Sequence, residues 1–195
     1  ILAMLMFQQG TPWPDFSKSI ELNGEIYFPG QRALEFYTSY ANSSRKVYSW
    51  DKNLGNDFDV FNKGKVGIVF GFTSDKENLI NAHIAPVPQI TGSAENVNFA
   101  KYGFLAISSS SLGVKQALSF IHFASSKKYA NILSGSLTML TARKDLAVLQ
   151  ENDQILTAKT WPRRNLDSIR AVFAEMVEAY LGGRMDLAKA VEYGS

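Results

Sequence analysis

The sequence predicts an α/β protein, and three observations lead there. Short apolar runs with strand character recur along the chain, as at Lys65–Phe70 and Gly103–Ser108. Between them lie longer stretches whose apolar residues return at helical spacing. The composition supports a packed core: 46% hydrophobic and 19% charged residues. A chain of 195 residues gives one large domain or two small ones, and buries a core without metals or disulfides. Twenty Lys and Arg against 18 Asp and Glu leave a net charge of +2. That balance argues against a dedicated nucleic-acid binder. Mean hydropathy is −0.09, and no apolar run approaches the ~20 residues that cross a bilayer. The absence of cysteine removes disulfides, thiol catalysis and thiolate metal sites without fixing the compartment.

The elements follow in order. Ile1–Phe7 is apolar, with no initiator Met and no basic region ahead of it, unlike a signal peptide. It reads as the last turns of a buried helix in a chain that is a piece of a longer protein. Pro12 and Pro14 keep the next segment out of helix. Asn23-Gly24 between apolar stretches predicts a small hairpin. Pro29-Gly30 opens a helix with Ala33, Leu34, Tyr37, Tyr40 and Ala41 on one face, ended by Asn42-Ser43-Ser44. Asp57 predicts the cap of a short helix with Phe58 and Phe61 inward and Gly64 as its stop.

Lys65–Phe70 then reads as a strand buried on both faces. The turn Gly71–Asp75 follows, with Ser74 or Asp75 opening a short helix through Leu79 and Ile80. In α/β proteins such a turn lies at the carboxyl end of a strand, where ligands bind. His83–Val87 and Gly103–Ser108 read as further strands, separated by a loop rich in Pro and Gly. Leu112–Ala124 is an amphipathic helix, and another runs from Ser125 or Ser126 to near Gly135. Thr138–Thr141 reads as extended, and helices follow at Lys144–Leu149 and Asn152–Ala158. Asp167 opens the longest helix, Gly182-Gly183 ends it, and Met185–Val191 is the last.

Little in the chain points to catalysis. The two histidines, His83 and His122, lack neighbours at metal-ligand spacing and read as structural. No nucleophile elbow, phosphate-binding loop or dinucleotide fingerprint occurs. Asp57 with Asp59 fits a helix start, and Glu175 with Glu178 a solvated face. No cofactor is expected. The aromatics are more informative. Trp13, Trp50, Phe72, Tyr102 and Trp161 all fall in predicted loops or at strand ends. Flat rings in such places suit a sugar cleft, where a pyranose C–H face stacks and neighbouring polar groups take the hydroxyls. Each ring taken singly equally fits a plug at the edge of a core. Arg163-Arg164 suits an anionic or polar solute, or a pair of solvated charges. Asn42-Ser43-Ser44 matches the N-glycosylation pattern, a motif too short to carry weight alone.

The order of these segments resembles the C-terminal half of bacterial extracellular solute-binding proteins of family 1, the maltose-binding-protein-like subunits of ABC importers. Ala33-Leu34-Glu35-Phe36-Tyr37 resembles the helix ahead of the family's central motif, and Tyr48-Ser49-Trp50 its following loop. Phe58 to Phe72 is similar to the central stretch: a helix ending in F-x-x-G-K, a strand, and a turn bearing an aromatic. Ala85-Pro86-Val87-Pro88 resembles the family's A-P-L-P crossover. Tyr102–Ser108 and Gln116–Ile121 are similar to its next strand and helix, and the pattern extends to Ala190.

That resemblance implies a periplasmic-binding-protein-like two-lobe fold of type II: mostly the C-terminal lobe, with part of the N-terminal lobe. Residues 1–86 and 136–195 would form the C-terminal lobe, and residues 87–135 an incomplete excursion into the N-terminal lobe. The rest of that lobe, and any signal or lipid anchor, would precede Ile1. Phe72 would stack on the ligand with Thr73 and Ser74 as polar neighbours. Trp161 would approach from the C-terminal lobe and Tyr102 from the other, with Trp50, Trp13 and Arg163 placed more loosely. Maltose-type members carry Trp where this chain has Phe72, so the resemblance does not point to maltose in particular.

The function implied is non-catalytic capture of a sugar or oligosaccharide by hinge closure, with delivery to an ABC permease. The protein would be an extracytoplasmic monomer, in the periplasm or lipid-anchored at the outer face of the cell membrane. Alternatives are a binding protein for a peptide, polyamine or other small polar solute, a carbohydrate-active enzyme, or a plain interaction domain.

Overall fold

The computed structural model describes residues 1–12, 15–93, 96–136, 141–147, 157–160 and 166–195. The chain divides into two compact units. The first comprises Ile1–Phe70, Ala85–Asn98 and Trp161–Ser195; the second comprises Gly71–Ile84 and Phe99–Thr160. The expected boundaries lay at 86/87 and 135/136.

In the first unit, helix α1 (Leu2–Gln8) buries Leu2, Met4 and Met6. The hairpin forms as its turn chemistry requires. Strands β1 (Ile20–Leu22) and β2 (Glu25–Tyr27) pair antiparallel with Ile20 opposite Tyr27. Asn23 and Gly24 both take positive φ, 54° and 81°, which the two-residue connection demands. Helix α2 (Pro29–Ser39) begins on Pro29, whose missing N–H would be unpaired there in any case. Its buried face carries Ala33, Leu34 and Thr38, and the Thr38 hydroxyl donates back to the Leu34 carbonyl at 2.7 Å. Helix α3 (Asp57–Asn62) is capped by Asn56, whose side chain accepts from Asp59 N–H at 3.1 Å. The cap therefore lies one residue before the expected Asp57.

Late in the chain come α7 (Leu166–Leu181) and α8 (Leu187–Tyr193). Helix α7 starts at Leu166, so Asp167 lies in its first turn and is not the cap. Gly183 takes φ 70° beyond its end. Asp186 caps α8 by accepting from Lys189 N–H at 2.9 Å. Leu2, Met6, Phe16, Ala33, Leu34, Met176, Ala190 and Val191 form one core cluster, with Tyr37, Phe173 and Tyr180 packed against it. Phe16 sits at its centre, edge-on to Phe7 and to Phe173 at 5.8 and 5.6 Å between ring centroids. Buried Gln8 donates to the carbonyls of Val97 and Pro88, at 3.0 and 3.2 Å, tying the segment after Ala85 to α1.

The second unit holds the 3₁₀ helix η1 (Thr73–Asn78), α4 (Val114–Ala124), α5 (Lys127–Ser136) and α6 (Lys144–Ala147). A two-residue ladder joins β3 (Asn98–Phe99), where the chain enters this unit, to β4 (Ala158–Lys159). Arg143 fastens the junction of α4 and α5 to the start of α6. Its guanidinium grips Asp145 through two bonds of 3.0 and 3.1 Å and donates to the Ser125 carbonyl at 2.8 Å. The hydrogen bond from Arg143 holds the Asp145 carboxyl below its ordinary range.

Three expected strands do not form. Residues 65–70, 83–87 and 103–108 are irregular in the structure, and the only ladders among the described residues are β1–β2 and β3–β4. Ile68 is 78% exposed and Phe104 86% exposed. The physical reason is the absence of partners. A strand apolar on both faces needs a strand at each edge and a covering layer on each side. Among the described residues nothing supplies these, so no ladder forms there despite apolar side chains. Helix α4 forms where expected, but it buries only Ala124 and leaves Leu118, Phe120 and Phe123 exposed. The expectation for Thr138–Thr141 lies outside the described residues except at Thr141. The expectation for Asn152–Ala158 lies outside them up to residue 156.

Candidate functional site

Phe72 is held by a reciprocal clip at the entry to η1. Its N–H donates to the Asp75 carboxylate at 2.7 Å, and its carbonyl accepts from Asp75 N–H at 2.8 Å. This is the local reason the turn after Gly71 is defined: a short acidic side chain three residues on satisfies the free N–H ahead of the helix. The expected helix start at Ser74 or Asp75 is corrected here, since η1 begins at Thr73 with Phe72 ahead of it. Phe72 as a residue remains 37% exposed, and Thr73 and Ser74 after it are exposed too.

Tyr102 lies in the same unit. Ala100 N–H donates to the Lys159 carbonyl at 3.0 Å, which extends the β3–β4 pairing and fixes the backbone just before Lys101-Tyr102. The Tyr102 hydroxyl reaches the Ala158 carbonyl at 3.4 Å, and its ring is about half exposed. Lys101, between these anchors, places its ammonium 4.0 Å from the centroid of the Phe72 ring. The second unit therefore brings Lys101 against Phe72, with Thr73 and Ser74 next to Phe72 in the chain and Tyr102 next to Lys101. Lys101 was not foreseen. The only signal in the sequence was a basic residue beside an aromatic one, too common a pair to single out.

Trp50 belongs to the first unit, where it plays the part of an edge plug. Its ring lies 5.0 Å from that of Tyr37 at a tilt of 42°. Its N–H and that of Ser49 both point at the Tyr40 carbonyl at the end of α2, at 3.3 and 2.8 Å. Burial raises the Tyr37 hydroxyl above the ordinary tyrosine range. Trp13, Trp161 and Arg163 lie outside the described residues.

The acidic residues serve local structure where the structure describes them. Glu175 pairs with Arg184 at 2.7 Å, and Asp57 and Asp59 sit in the first turn of α3. Among the described residues, no three His, Asp or Glu side chains gather in a way that could hold a metal. His83 and His122 are both exposed, which corrects the expectation that they fill structural positions. No described helix is long and apolar enough to cross a membrane. Compared with known proteins, the chain matches no family model, no curated protein and no solved structure.

Proposed function

We propose that the chain is part of a substrate-binding subunit of an ABC importer, one that captures a sugar or oligosaccharide without chemical change. The observation that carries this reading is the exposed Phe72, followed in the chain by exposed Thr73 and Ser74, with Lys101 against its ring and exposed Tyr102 next to Lys101. Phe72 and Tyr102 both lie outside the core cluster and meet solvent, and hydroxyl side chains follow Phe72 in the chain. Aromatic faces stack on the C–H faces of pyranoses, and hydroxyls hydrogen-bond their polar rims. The order of sequence motifs supports the same reading.

The proposed mechanism is closure of two lobes about a hinge. Closure removes water from the sugar's hydrogen bonds, and the closed form is what a permease recognises. The protein would act outside the cytoplasmic membrane. Lys101 over Phe72 weighs against the polyamine alternative, because a cationic solute would meet an ammonium already resting on the ring.

Titration of the intrinsic tryptophan fluorescence with a panel of mono- and oligosaccharides tests the reading. The expected result is a saturable change with at least one sugar, which is recovered unaltered after incubation. Recovery of cleaved sugar would favour the enzyme alternative. Binding of a peptide or polyamine and of no sugar would refute the substrate class.

A further inference from the structure

The Phe72 ring is already occupied on one face. Lys101 Nζ lies 4.0 Å from its centroid, a separation at which the ring quadrupole attracts the ammonium. Among the described residues, no carboxylate lies within 4.0 Å of that ammonium. The nearest acid along the chain to Phe72, Asp75, spends one carboxylate oxygen on the Phe72 N–H. The second unit as a whole carries eight Lys and Arg against five Asp and Glu, a net of +3. The remaining residues therefore carry −1 of the chain's +2.

These facts bear on which saccharide can use the ring. A neutral sugar that stacks on the Lys101 face must displace the ammonium, and offers it nothing in return. A carboxylate-bearing sugar displaces it too, yet supplies a counter-ion at the ring's edge, so the cation exchanges one partner for a stronger one. The unit's net positive charge also favours arrival of an anion over that of a cation.

We infer that the solute is an acidic saccharide, its pyranose stacked on Phe72 and its carboxylate paired with the Lys101 ammonium. This rests on the saccharide-binding reading and deepens it by naming the class of sugar.

The test compares trigalacturonate with its fully methyl-esterified form, which keeps the rings and removes the charge, by equilibrium titration of the 195-residue chain at low salt. The expected result is at least tenfold tighter binding of the free acid, about 1.4 kcal/mol. The preference should shrink as salt rises to ~0.2 M, and it should vanish in Lys101→Met. Lys101 is exposed, so that variant leaves the core untouched. Equal binding of acid and ester overturns the inference and leaves the saccharide reading intact. So does binding of neutral oligosaccharides with no binding of the acid. A preference for the acid that survives in Lys101→Met overturns the role given to Lys101. Binding of no saccharide, acidic or neutral, overturns the inference and the saccharide reading together.

Discussion

Gly30 and Leu34, four residues apart on α2, show two ways in which a single residue holds the first unit. Leu34 is fully buried in the core cluster. Truncating it leaves a cavity, so Leu34→Ala should cost about 2–5 kcal/mol in a urea titration, with the midpoint lowered and the slope kept. Gly30 matters for what it lacks: a Cβ there would collide with the Phe16 carbonyl oxygen and press on Val191 Cγ1 at 3.1 Å. Gly30→Ala, otherwise favourable inside a helix, should destabilise by about 1–3 kcal/mol through overpacking. Leu34 was legible in the sequence because helical spacing marks a core face. The need for Gly30 was not, because it comes from Phe16, a residue brought close only by folding. The same limit applies to the rings. Sequence places Trp50 and Phe72 alike in loops, but Trp50 packs on Tyr37 while Phe72 meets solvent and Lys101.

At the scale of elements, caps and turns were legible to within a residue or two, since their chemistry is local. Asn23-Gly24 makes its hairpin, Pro29 opens α2, and the Gly182-Gly183 pair follows α7. Asp186 offers a test with a defined sign. The Lys189 N–H, followed by the Lys189 charge, lowers its carboxyl below the ordinary value of 3.8. Its cap is therefore whole above that value and is lost as pH falls below it. Thermal melts should show wild type losing stability below pH ~4 relative to Asp186→Asn, which keeps an accepting oxygen at all pH values, and little difference at pH 7. The strands expected at 65–70, 83–87 and 103–108 were not legible as unpaired, because apolar content reports a wish for burial and not the presence of neighbours. Their state predicts exchange behaviour. Amides of residues 66–70 and 103–107 should exchange deuterium within seconds, while those of α2 and α7, packed on the core, should persist far longer. Strong protection of the first two segments by mass spectrometry would contradict the absence of a ladder there.

At the scale of the molecule, the sequence held the existence of a core and the helical ends of the chain that build it. It did not hold the finer division, which follows from contacts between distant segments: Gly71–Ile84 joins Phe99–Thr160, and Ala85–Asn98 stays with the two ends of the chain. The functional account rests on the other unit, where the Lys101 ammonium lies against the exposed Phe72 ring. The most direct measurement is calorimetric titration of wild type and Phe72→Ala with a panel of neutral and acidic oligosaccharides. Phe72 is exposed, so its loss should leave the fold intact and weaken stacking alone. The account predicts saturable binding of a saccharide by wild type and at least tenfold weaker binding by Phe72→Ala. Equal affinity in the two proteins, or binding of peptides or polyamines and of no saccharide, would contradict it.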